Sequence, residues 1–229
     1  MYLSQLVSQR VWLLLLAIFG IVIAVSYATT SGGDKAILSV LDLLPMLFGL
    51  VAALGVASIQ NSGMYNYFLS RYPHRLSVYR KVLSGTVLYY IVCGIGIFGI
   101  CAVVSTGISM SRGGSIAGGV ILFAVFRFIA LVFFFSAFGA SVAFIGRNLA
   151  VALLTYIGLV WLLPVVLVFL SLLRSGLGDT LTRYTIGSQV AIFAGSESSV
   201  AELGAPFLIL MIWGVVAGVL GYSVFRGRS

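Results

Sequence analysis

The residues that could do chemistry here are few, and their types suit binding and movement better than bond-breaking. Arg127 stands well inside the apolar run Ile116–Ile145. A charge near mid-membrane costs at least about 2.5–3.5 kcal/mol, so it needs a partner. Asp42, near the outer end of the run Ala36–Gln60, is the candidate whose depth comes closest. Together they would line a translocation path or a subunit contact. A purely structural ion pair, or an arginine that snorkels along a tilted helix, explains them as readily. Catalysis is poorly served. The one histidine, His74, lies outside the apolar runs, so no intramembrane Ser–His pair can form. No Gly-x-Ser-x-Gly occurs, and no His, Cys and carboxylate cluster has metal-ligand spacing. Gly94-Ile95-Gly96-Ile97-Phe98-Gly99 spells the dinucleotide fingerprint. It follows no strand and has no acidic residue about twenty positions on, so close helix packing explains it better. Gly114-x-x-x-Gly118 and Gly214-x-x-x-Gly218 carry the same packing signal.

The elements that must position these residues follow from composition. Of 229 residues, 61% are hydrophobic and 8% charged. Mean hydropathy is +1.19. A soluble domain carries about 25% charged residues. A chain this apolar could not hide its surface from water, and it is too hydrophobic for disorder. We expect an all-α polytopic membrane protein forming a single transmembrane domain over residues 1–229. Six runs reach about the 20 residues a span needs: Val11–Ala28, Ala36–Gln60, Val82–Ile108, Ile116–Ile145, Leu149–Leu173 and Pro206–Phe225. They are continuous and long rather than alternating over about ten residues, which favours helices over a β-barrel. Cys93 and Cys101 share one helix about 12 Å apart, too far for a disulfide.

The net charge of +8 reports orientation rather than nucleic acid. Arg10, Arg71, Arg75, Arg80, Lys81, Arg147, Arg226 and Arg228 fall on one side; Lys35, Arg112, Arg174 and Arg183 fall on the other. Positive-inside asymmetry places the first side, with both termini, in the cytoplasm. The inner, cytoplasmic membrane is the expected location, with membrane lipid as a partner and no nucleic acid.

Two loops are long. Asn61–Lys81 is cytoplasmic and basic, and Arg174–Ala205 is external. In the first, Pro73 suits the first turn of a helix and Ser70 its N-cap region. Arg75, Tyr79 and Arg71 would lie toward one side of that helix, with Leu76 and Val78 elsewhere. Tyr65, Tyr67, Tyr72 and Tyr79 suit a membrane interface. The segment reads either as an ordinary positive-inside anchor or as a docking helix for a cytoplasmic partner.

That segment resembles the coupling segment of the membrane subunit of type-2 ABC transporters, the exporter permeases with six spans per subunit. Gly63, Leu69-Ser70, Pro73, Arg75 and Lys81 fall at the matching positions, while Gln60-Asn61 stand where the family has an acidic pair. The stretch Tyr184–Gly195 is similar to the family's re-entrant hairpin before the last span, and Phe225-Arg226-Gly227-Arg228 to its aromatic-basic finish. The resemblance implies a coupling helix between spans 2 and 3 that docks on an ATPase subunit, two copies per transporter. Gly63, Leu69, Arg71, Pro73, His74, Arg75, Tyr79 and Lys81 would make that contact. It also implies a second copy of this chain or a similar permease. The chain has no Gly-x-x-x-x-Gly-Lys-Ser/Thr loop, so it is not itself the enzyme. No cofactor belongs to it; ATP and Mg would sit on the partner ATPase. The implied function is ATP-driven export of an amphipathic cargo: peptide, drug-like or lipid-like. An ATP-independent carrier or channel is the rival, but such proteins usually embed several ionisable groups. A non-transporting assembly factor is the third reading; it would tolerate neutralising Asp42 and Arg127 together.

Overall fold

The computed structural model describes residues 2–30, 33–62, 70, 74–112, 118–146, 148–173, 181–195 and 203–227. Among them there is no strand. The helices are α1 (Tyr2–Thr30), α2 (Gly33–Asn61), α3 (Arg75–Ser111), α4 (Gly118–Ile145), α5 (Leu149–Ile157), α6 (Leu163–Leu173), α7 (Ile186–Ala194) and α8 (Gly204–Arg226). A π-helical turn, Gly158–Leu162, joins α5 to α6.

Among the described residues, five stretches are long and apolar enough to cross a membrane: Val40–Asn61, Arg75–Ser111, Ile121–Ile145, Leu149–Ser171 and Gly204–Arg226. In α1 the described apolar stretch, Val11–Ser26, is shorter. The helices' outer surfaces carry large apolar side chains such as Leu122, Val103, Leu154 and Leu208. Such surfaces are stable in lipid and unstable in water.

α4 is central, with α2, α3 and α8 packed against it. Two cores lie at its two ends. Phe128 joins Leu41, Leu44, Phe48, Tyr90 and Phe98 at one end. Phe134, Phe138 and Phe144 join Tyr156, Phe193 and Phe225 toward the other. The phenylalanine-rich stretch of α4 is therefore mostly packing: Phe134, Phe135 and Phe138 are buried, whereas Phe126 and Phe133 face outward.

Among the described residues, the closest helix approach is made by glycines outside the paired motifs. A Cβ on Gly139 would lie 2.0 Å from the Gly49 carbonyl oxygen, and one on Gly49 would lie 2.7 Å from the Phe135 oxygen. α2 and α4 meet backbone to backbone there. Gly221 of α8 comes similarly close to the Ser141 oxygen, 2.6 Å. Of the Gly94, Gly96 and Gly99 set, only Gly94 meets a neighbour, at Phe128 and Val132. Gly214 and Gly218 make ordinary contact with α4 within this chain.

Helix ends and interruptions have local causes. Asn148 Oδ1 accepts from the Val151 amide at 2.8 Å and opens α5. Pro164 cannot donate to the Val160 carbonyl, and its ring would crowd that carbonyl in a regular helix. The π turn just before it widens the backbone, and the Leu163 amide bonds back to the Gly158 oxygen. Pro45 lies inside α2. Independently of it, Tyr156 Oη donates to the Met46 carbonyl of the same helix at 2.6 Å.

Candidate functional site

The first candidate is the start of α3. His74 is its N-cap residue, extended in backbone and without a capping side-chain bond. The helix runs unbroken from Arg75 through the apolar stretch, so Arg75–Lys81 is its opening turns and not a separate helix lying on the surface. Arg75 Nη1 donates to the Arg226 carbonyl at 2.7 Å. Tyr79 Oη donates to the Gly218 carbonyl at 2.9 Å. The Tyr79 ring lies 4.6 Å from Phe144, 5.5 Å from Tyr222 and 6.2 Å from Phe225, centroid to centroid. Two side chains thus pin the opening of α3 to the end of α8 and to α4.

The predicted contact set divides accordingly. His74 and Lys81 are exposed, and Arg75 is half-buried against α8. Tyr79 is 5% exposed, so it is an internal strut and no partner could touch it without unpacking α8. The reason is its position: one turn after Arg75, on the face that meets α8 rather than the face bearing Leu76 and Arg80. Gly63, Leu69, Arg71 and Pro73 lie outside the described residues. Tyr79→Phe should lower stability by about 1 kcal/mol through the lost bond to Gly218, while the packed ring stays. Thermal unfolding in detergent, followed by circular dichroism, reads this directly. A variant indistinguishable from the parent would show that the hydroxyl contributes nothing.

The second candidate surrounds α7. Arg127 is 1% exposed. Its Nη1 donates to the Gly195 carbonyl at 2.6 Å and the Ala194 carbonyl at 3.3 Å. Its guanidinium carbon lies 4.2 Å from the centroid of the Phe123 ring. Ala194 ends α7, so Arg127 caps the negative end of that helix. The other end of α7 is capped by Thr185, whose Oγ1 accepts from the Ser188 amide at 3.4 Å. Gln189 and Ser188 also bond back to the preceding turn, at Arg183 and Thr182. Trp213 Nε1 donates to the Tyr184 carbonyl at 3.0 Å and ties that turn to α8.

Asp42 does not form the expected ion pair with Arg127. It stands at the exposed edge of a different recess of about 380 Å³, lined by Met46 of α2, Trp161 of the π turn, Pro164, Gly187 and Val190. Depth along the helices suggested the pair, but depth does not fix rotation. Leu41 and Leu44 are buried on α2, which turns Asp42 away from the core that holds Arg127's helix. The role of α7 as acceptor was not legible from the sequence, because a backbone carbonyl leaves no residue-type signal.

Among the described residues no three of His, Cys, Asp and Glu stand close enough to hold a metal ion. Cys93 and Cys101 are free thiols.

The helices and their apolar exterior define a multi-pass membrane protein. No family model matches the chain, and no curated protein matches it.

Proposed function

We propose that this chain is the permease subunit of an ATP-driven exporter of the type-2 ABC kind, residing in the cytoplasmic membrane with both termini inside. In this reading α1 supplies the sixth span. Residues 61–81 form the coupling segment that receives a separate ATPase subunit. α7 is the re-entrant element before the last span, and the Asp42 recess beside it belongs to the path of an amphipathic cargo. The observation that carries the reading is the double tie of α3 to α8 at Arg75–Arg226 and Tyr79–Gly218. A push on the segment just before α3 is passed at once to two membrane helices rather than absorbed in a loose loop. That is the mechanical property a coupling segment needs. Its sequence spacing supports the same role.

The test is purification of the tagged chain from its native membrane in mild detergent, with mass spectrometry and an ATPase assay. A stoichiometric soluble partner bearing a phosphate loop is expected. Arg75→Glu combined with Lys81→Glu should weaken that association at least about thirtyfold, the usual effect of losing charged interface contacts. Gel filtration must show that the double variant still folds, and Arg75→Lys should retain the partner. A wild-type chain that purifies alone without ATP hydrolysis overturns the reading. So does normal partner binding and flux in the double variant.

A further inference from the structure

A groove of about 360 Å³ runs between α2 and α3 on the outer surface of the bundle. That is the lower end of the range for small-ligand sites, roughly 300–1,000 Å³. Its lining on α3 runs from Val78 to Tyr90, about 18 Å at 1.5 Å per residue. Two glycines help line it: Gly55 on α2 and Gly85 on α3. A Cβ on Gly85 would meet nothing within 4 Å, so the space there is open. The inner wall is rigid. Tyr90 Oη donates to the Val51 carbonyl at 3.1 Å, and its ring meets Phe48 edge-on at 6.0 Å. Apart from Thr86 and the tyrosine hydroxyls, Lys81 is the polar group of the lining, and it stands one turn from the Val78 end. The groove is therefore an apolar slot with a single cation near the end that lies in the first turns of α3.

We propose that this groove binds one acyl chain of an anionic phospholipid, with Lys81 meeting the phosphate. The volume suits a single chain. The cation selects the headgroup, as basic pockets between membrane helices do on the cytoplasmic side. Lys81 stands in the second turn of α3, and a side chain tilted toward the start of the helix has the length to keep its ammonium at headgroup depth. The inference rests only on membrane residence and on the cytoplasmic placement of Lys81. Loss of the ATPase partner would leave it standing.

The full chain is reconstituted in vesicles holding equal amounts of phosphatidylglycerol and phosphatidylcholine with the same acyl chains. It is then extracted gently, and the retained lipids are counted by native mass spectrometry. The wild type should retain one phosphatidylglycerol at about fivefold preference, the effect of one lysine near a membrane surface. Gly85→Phe fills the slot and should release that lipid whatever its headgroup. Lys81→Gln should keep a lipid but lose the preference. Leu88→Phe, on an outward-facing position of the same helix, should behave as wild type. Gly85→Phe replaces a helix-weakening residue at an open position, so folding is retained; Lys81→Gln reads the site independently. Unchanged occupancy in Gly85→Phe overturns the proposal. So does equal retention of the two lipids by the wild type, or a preference that survives Lys81→Gln. Efficient disulfide dimerisation of Gly85→Cys in native membranes would mark the groove as a subunit contact and overturn it as well.

Discussion

Gly139→Ala is expected to remove most of the folded chain from the membrane, while Gly96→Ala leaves it intact or improves it. The two changes are chemically identical, and both lie in long apolar helices. They differ in what the new methyl group meets. At position 139 it would lie 2.0 Å from the Gly49 oxygen, which is backbone and cannot swing aside. α2 and α4 must separate by about an ångström over their whole contact, because packed helices move as units. Overpacking in a tight core costs about 1–3 kcal/mol, and a backbone collision falls at or beyond the upper end. At position 96 nothing lies within 4 Å. There the gain in helix propensity, up to about 1 kcal/mol, acts without opposition. Yield of monodisperse protein and thermal midpoint in one detergent provide the readout. Equal behaviour of the two variants would mean that α2 and α4 are not in backbone contact.

Arg127→Met is expected to free α7. The substitution leaves the Ala194 and Gly195 carbonyls without their donor and takes the cation from the negative end of the helix. A hydrogen bond to a charged group is worth about 1.5–3 kcal/mol, so local opening of α7 should rise roughly ten- to hundredfold. Global stability can move little, because removing a buried charge also removes its desolvation penalty. The decisive readout is therefore hydrogen exchange of amides 186–195. These should lose protection while α2 and α4 keep theirs. Arg127→Lys retains the charge but has a shorter reach, and should fall between. Unchanged exchange in Arg127→Met would show that α7 is held by packing of Phe193 and Val190 alone. If α7 flanks a cargo path, the same variant should also lose flux.

Which parts of this architecture could be read in the chain depends on whether a signal is local. Long apolar runs are local, and five of them appear as span-length helices at nearly the expected positions. The boundary before the third span is less so: Pro73 suggests a helix of its own ahead of a span beginning at Val82, whereas the described helix runs unbroken from Arg75 into the apolar stretch. Contacts between helices are not local. Gly94, Gly96 and Gly99 drew attention by spacing, yet two of them face open space. Gly49 and Gly139 form the tightest junction with no motif around them, because helix rotation selects them rather than sequence spacing. The same ignorance of rotation put Asp42 opposite Arg127 and Tyr79 on a docking face. The π turn at Gly158–Leu162 was also unread; Pro164 was its one visible cause.

Several of the long-range ties share one property. Tyr79, Tyr90, Tyr156, Arg75 and Arg127 all donate to backbone carbonyls on other helices. Every residue type carries a carbonyl, so substitutions at the accepting positions need not break these bonds. Mutational drift is thus filtered at the donor and largely unfiltered at the acceptor. A lineage built this way can replace half of each pair without compensating change in the other. Its descendants would keep one architecture while their sequences part company, and correlated substitutions would be a poor guide to which of its helices touch.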